Sequence, residues 1–259
     1  MDIHAISFKS EYGEIGRVKV ESRTLQVQRV RTFIEGFDDR IDGGIRKGQI
    51  VLLFGAPGTM KSSISMNMLW NNSRRLGLKC LYISLEETKQ SLMETMQSLG
   101  FWPVDDSKLL ISDIATLRLE HADADSGRDW FKILEEYIEK RIETSGVDIL
   151  VIDSLNAVFS LKSVQNPRQE LFHFFGFLRK MGITSFVISE LKPGSEEISA
   201  YGEDFLADGT ITLRFHQVGE ADYQLRIRCL KLRHSKVEHG YLTLIFKDGV
   251  FSATPPISE

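Results

Sequence analysis

Cysteine is nearly absent: the 259-residue chain holds two, Cys80 and Cys229. Each lies in an apolar, strand-like run, so they read as buried reduced thiols and not as a disulfide scaffold. Positive charge is not in excess. The formal charge of −4 gives no general pull toward nucleic acid, although it leaves room for a local basic patch. No apolar stretch is long enough to cross a bilayer. Met1 to Ser10 carries charge and no long apolar core, so no leader is expected. There is no internal repeat and no low-complexity segment. These absences leave a cytoplasmic globular chain, one large domain with or without an appendage.

What is present is an alternation of short apolar runs with helix-period segments from residue 49 onward. Strands are expected at Ile50–Phe54, Lys79–Leu85, Lys108–Ser112, Val147–Asp153 and Ile183–Leu191. Helices are expected at Lys61–Leu76, at Gln90–Leu99, from Trp130 to near Gly146, and from Pro167 to Met181, most with glycine as the stop. Apolar strands alternating with helices imply an α/β fold with a mostly parallel sheet covered on both faces. After Asp208 helices cease. Thr210–Phe215, Tyr223–Arg233 and Tyr241–Phe246 read as antiparallel strands added to one edge. Residues 1–30 read as a small β element packed on a core domain of residues 31–254, with a tail at 255–259. Glu120–Arg128 and Lys192–Glu203 read as mobile loops. The aromatic stretch Leu171–Leu178 covers more than one helix face; most of it is expected in the core, with one edge free for a protomer contact.

Gly55, Ala56, Pro57, Gly58, Thr59, Met60, Lys61, Ser62 and Ser63 follow the first apolar strand and open a helix. They match a phosphate-binding loop except that methionine replaces the glycine before the lysine. Backbone N–H groups in such a turn, with the helix N-terminus behind them, make an anion-binding concavity. Lys61 would place charge on outer phosphates and Ser62 a hydroxyl on Mg2+. Met60 keeps its N–H but adds bulk where glycine allows close approach; a relic loop that binds poorly is the alternative. Asp153 ends an apolar strand, where it would hold the metal's hydration shell beside Ser62 or simply cap the next segment. Glu86 and Glu87 end the strand after the loop helix. They would polarise a water for attack on a terminal phosphate, or only favour a helix dipole. Lys231 and Arg233 share strand parity with Leu225, Ile227 and Cys229, so an apolar face ends in two cations. Such a face enters an interface, meets an anion, or frays into solvent.

From about Val30 to Phe251 the chain resembles the KaiC-like ATPases of the RecA superfamily. The residues that carry the likeness are Thr32-Phe-Ile-Glu-Gly-Phe-Asp-Asp-Arg40, Gly43-Gly-Ile-Arg-Lys-Gly48, Ser84-Leu-Glu-Glu87, Ile152-Asp-Ser154, Tyr201-Gly-Glu-Asp-Phe-Leu-Ala-Asp-Gly209 and Lys231-Leu-Arg233. The resemblance implies a RecA-like P-loop core, ATP and Mg2+ as ligands, and one of Glu86 and Glu87 as the catalytic base. It further implies that Lys231 and Arg233 reach a neighbour's nucleotide in a ring, usually of six, with ATP between protomers. Met60 and His234 both stand where the family has glycine. There is one ATPase domain where the clock protein has two, so a clock role does not carry over.

The expected function is a slow ATP-hydrolysing homo-oligomeric ring whose nucleotide state controls association with another, unnamed protein. The alternatives are a recombination-type accessory ATPase that binds single-stranded DNA through Lys162–Arg168 and Lys192–Glu203, and a scaffold that holds ATP without hydrolysing it. No membrane contact is expected.

Overall fold

The computed structural model describes residues 28–113, 129–161, 165–191, 199 and 201–256. Nearly all of the N-terminal β element expected over residues 1–30, the loop at 120–128 and most of 192–203 lie outside the described residues.

The strands are β1 Arg29–Val30, β2 Ile34–Glu35, β3 Ile45–Arg46, β4 Ile50–Gly55, β5 Cys80–Ser84, β6 Leu109–Asp113, β7 Ile149–Asp153, β8 Thr184–Glu190, β9 Gly209–Val218, β10 Asp222–Leu232, β11 Leu242–Lys247 and β12 Val250–Thr254. The helices are α1 Lys61–Leu76, α2 Lys89–Ser98, α3 Trp130–Ser145, α4 Leu155–Leu161, α5 Pro167–Met181 and the short α6 Glu203–Leu206. A ten-stranded sheet runs in the order β2-β12-β11-β10-β9-β4-β8-β7-β5-β6. From β9 to β6 neighbouring strands are parallel. Antiparallel pairing begins at β10 and continues through β11 and β12, with β2 added parallel at the far edge. The α/β reading with C-terminal antiparallel strands therefore holds, with one refinement: β9, the first of those strands, runs parallel to β4.

Two cores explain the sequence pattern. Val51 and Leu53 of β4 pack on one face with α1, α2 and residues of β9 to β12. Ile50, Leu52 and Phe54 pack on the other with α3, α4 and α5. A strand buried on both faces loses polar alternation, which is why β4 reads as continuous apolar sequence. Leu171, Phe174, Phe175 and Leu178 of α5 are buried, while Phe172 is exposed. Cys80 and Cys229 are free and buried, and burial pushes the Cys229 thiol up to about 12.

One expectation is overturned. Between Cys229 and Lys231 the register against β9 shifts: Cys229 faces Ile211 and Lys231 faces Thr210, leaving Leu230 as a bulge. An extra residue switches the side-chain alternation. Ile227, Cys229 and Leu232 therefore share the α1-side core. Lys231 and Arg233 do not continue the face of Leu225, Ile227 and Cys229; they lie on the opposite one.

Candidate functional site

The phosphate-type loop leaves the end of β4. Gly55 is required by close packing, because a Cβ there would lie 2.3 Å from Thr59 Oγ1. Thr59 Oγ1 in turn donates to Ala56 O at 2.7 Å, which tightens the turn. Gly58 has φ +82° and nothing within 4 Å of where a Cβ would project. Met60 itself adopts φ 63°, ψ 24°, immediately before α1. This is the left-handed conformation that glycine enters freely and other residues reach at a cost. Its side chain is half-buried and packs against the α1-side core. The methionine bulk thus lies on the core.

Lys61 is 7% exposed. Its Nζ donates to Gly55 O and Ala56 O, both at 3.0 Å, and lies 3.9 Å from Glu190 Oε1. Burial lowers its pKa, and the carboxylates of Glu190, Asp153 and Glu86 oppose that shift. Ser62 Oγ donates to Asp153 Oδ2 at 2.7 Å, and Tyr82 OH donates to the same oxygen. Burial raises the Asp153 pKa; the two hydroxyl donors pull it down. Ser154 Oγ donates to Glu86 Oε1 at 2.7 Å, and Glu86 acts electrostatically on both Lys61 and Asp153.

The two glutamates separate. Glu87 is committed to the start of α2: Ser91 Oγ donates to its carboxylate at 2.9 Å, and Ser84 Oγ bonds its backbone. Thr88 caps the helix by accepting from Ser91 N. Glu86 faces the loop. The helix-start contacts therefore belong to Glu87, while Glu86 bonds to Ser154.

Lys61, Ser62, Asp153 and Glu86 gather where β4, β5 and β7 end, the crevice at which open parallel sheets bind ligands. One hydroxyl and one carboxylate suit a cation such as Mg2+, which keeps waters and shares phosphate oxygens. Among the described residues no group of three or more His, Cys, Asp or Glu could hold a metal alone. The residues therefore fit Mg2+ arriving with a polyphosphate.

Lys231 and Arg233 are elsewhere. Gly209 pairs with Val51 and Leu213 with Gly55, while Leu232 pairs with Gly209. The cations thus sit where β4 begins, about 13 Å of strand from where the loop leaves it. Lys231 Nζ donates to Asp204 O at 2.8 Å. Arg233 donates to Phe205 O and to Asp208 Oδ1, both at 3.2 Å. Burial, and then the nearby Arg233, lower the Lys231 pKa. The turn that follows holds His234 at φ 58°.

Sequence reasoning passed over Glu190, Asn156 and Tyr82. Asn156 Oδ1 accepts from Glu190 N at 2.7 Å and ties α4 to the end of β8. The signal for Glu190 was available: it ends an apolar strand, as Asp153 does.

The family model for the KaiC ATPase matches residues 30–255. The circadian clock oscillator protein KaiC of Rippkaea orientalis is 30% identical over 245 residues, which is 90% of this chain and 45% of that protein. Its counterpart in Synechococcus elongatus is 31% identical, over 83% of this chain and 42% of that protein. The chain thus spans less than half the length of these relatives. The crystal structure of a KaiC-like protein from the hyperthermophilic archaeon Pyrococcus horikoshii superposes with a TM-score of 0.75 and 25% identity. It covers 88% of this chain and 100% of that one.

Proposed function

Because the chain belongs to the KaiC family of ATPases, with the RecA-like fold, we propose that it binds ATP with Mg2+ and hydrolyses it slowly in a homo-oligomeric ring, of six by analogy. Nucleotide state would then control association with another protein. The carrying observation is the convergence of Lys61, the Ser62–Asp153 pair and Glu86 at one end of the sheet. Ser62 and Asp153 would hold the metal, Asp153 through water. Bound Mg2+ supplies charge neutralisation on the phosphate oxygens. Lys61 adds a fixed cation beside the outer phosphates, and the loop glycines leave the backbone open to them. Glu86 orients the attacking water and accepts its proton. Lys231 and Arg233, at the opposite end of their own sheet, serve a neighbour's phosphates.

Titration calorimetry with Mg-ATP and phosphate release with and without single-stranded DNA test this reading. Binding and basal release are expected. Lys61→Ala should weaken binding by about 1.5–3 kcal/mol, the worth of a charge-assisted contact. No heat at near-millimolar protein would sink the proposal. Binding without release would favour the scaffold, and release that depends on DNA the accessory ATPase. Of the two segments named for DNA, residues 162–164 of the first and most of the second lie outside the described residues.

A further inference from the structure

Asp153 is held from the strand beside it. Ser84 of β5 stands opposite Asp153 of β7, and Tyr82 stands opposite Val151. Alternation puts Cys80, Tyr82 and Ser84 on the sheet face that also carries Ile149, Val151 and Asp153. Of these, Cys80, Tyr82, Ile149 and Val151 are buried in the α1-side core. Tyr82 is thus the diagonal neighbour of Asp153, with their backbones about 7–8 Å apart. A serine or threonine at that position would fall short. A tyrosine spans the gap, and its OH donates to Asp153 Oδ2. Ser62 Oγ donates to the same oxygen from the start of α1. The two donors differ in kind. Ser62 belongs to the loop, and its oxygen is the one proposed to meet the cation. Tyr82 belongs to the core and is 1% exposed, so packing locks the side chain that delivers its hydroxyl.

We infer that Tyr82 is a positioning residue for the metal: its hydroxyl fixes the Asp153 carboxylate through Oδ2 and leaves Oδ1 to accept from a water of Mg2+. The inference rests on the reading of Asp153 as the residue that holds the metal through water. Groups that bond a ligating carboxylate from outside orient it, and removing one costs about 10–100-fold in metal affinity or activity. A buried hydroxyl also needs an acceptor for its own sake, so packing alone would give Tyr82 some partner. The two roles separate in one respect. A packing role acts on the protein with or without metal, whereas a positioning role acts only through the metal. Tyr137 supplies the comparison. Its OH donates to Ser112 Oγ, and it packs on the other core, across the sheet from Asp153.

Calorimetric titration of ATP into wild type, Tyr82→Phe and Tyr137→Phe, in excess Mg2+ and in EDTA, provides the test. Magnesium should tighten ATP binding to wild type. Tyr82→Phe keeps the ring and removes one oxygen. In EDTA its dissociation constant for ATP should stay within about twofold of wild type, while the tightening by Mg2+ should shrink about tenfold or vanish. Mn2+ held with ATP, counted by electron paramagnetic resonance, should weaken in the same variant by a like factor. Tyr137→Phe should keep the wild-type tightening, whatever its melting temperature. Tyr82→Met, which also lacks the hydroxyl, repeats the measurement if the phenylalanine variant fails to fold. The inference falls if folded Tyr82→Phe tightens as wild type does. It falls also if that variant loses ATP affinity equally in Mg2+ and in EDTA, since Tyr82 would then be a packing residue. Failure of the underlying reading looks different: wild type itself would bind ATP no better in Mg2+ than in EDTA, and the inference would go with it.

Discussion

Met60 and His234 hold left-handed backbone at φ 63° and φ 58°, and each stands where glycine would relax the turn. They differ in what the side chain returns. Met60 packs on the core, whereas His234 is exposed. His234→Gly should therefore raise stability by about 0.5–1 kcal/mol in urea unfolding. Met60→Gly trades strain relief against lost burial and should melt near wild type; ATP binding should stay intact or improve, and turnover should rise. Loss of ATP binding would show that the loop depends on methionine. Asp153 gives a pH prediction. Burial raises its folded pKa above the usual value of 3.8, so its protonation favours the folded state. Acidification through that raised pKa should stabilise the nucleotide-free protein at this site and remove the ionised metal ligand over the same window. Asp153→Asn should melt higher without nucleotide and gain nothing further from Mg-ATP. Calorimetric melts with and without Mg-ATP between about pH 4 and 7 check both signs. Glu86→Gln should depress phosphate release far more than Glu87→Gln, because only Glu86 bonds into the Ser154–Asp153 corner.

At the scale of elements, strong periodicity was readable and broken periodicity was not. Helices α1 and α5 begin and end at the expected residues: Gly77 and Gly182 close them in left-handed caps and Pro167 opens α5. The buried strands β4, β7 and β8 announced themselves as apolar runs. Strands β1, β2 and β3 are two residues each, too short to carry a period, and tertiary pairing alone makes them strands. Helix α4 was missed because Leu155-Asn-Ala-Val-Phe-Ser-Leu161 is shorter than two full helical periods. The candidate site was legible where a carboxylate ends an apolar strand, as with Asp153. It was not legible where a hydroxyl from a neighbouring strand bonds to that carboxylate, as with Tyr82. The Leu230 bulge was invisible because counting by twos assumes unbroken pairing. It has a mechanical test. Deleting Leu230 removes the extra residue and restores strict alternation, with Lys231 and Arg233 kept on the outer face and Leu232 kept in the α1-side core. No cation is buried by the deletion, so the stability read from its urea midpoint should stay within about 1–2 kcal/mol of wild type. Leu230→Ala, at a half-buried position, should stay within about 1 kcal/mol. A deletion variant that loses about 3 kcal/mol or more would mean that Leu230 is not a simple one-residue insertion and that the faces of Lys231 and Arg233 depend on it.

At the scale of the molecule, the proposed chemistry is split across the sheet. Lys61, Ser62, Asp153 and Glu86 stand where β4 ends; Lys231 and Arg233 stand where it begins, braced by Asp204, Phe205 and Asp208. A rigid sheet cannot fold its two ends together, so one chain cannot apply both sets to one phosphate. Two chains can. A cation supplied by a neighbour stabilises transition-state charge only in the assembled state, at up to about 10³–10⁵ in rate. Phosphate release should therefore rise more steeply than linearly with protein concentration through the assembly range. Arg233→Ala should lower turnover far more than it weakens ATP binding to the protomer. Glu86→Gln should also be inactive alone, since it removes the base and keeps the finger. Mixed together, the two variants should regain part of the activity, because some interfaces join an intact Glu86 to an intact Arg233. A stopped assay on each variant and on the mixture at equal total protein reads the outcome. Full activity in a highly diluted monomer, or no recovery on mixing variants shown to co-assemble, would place the whole reaction at the loop end of one chain.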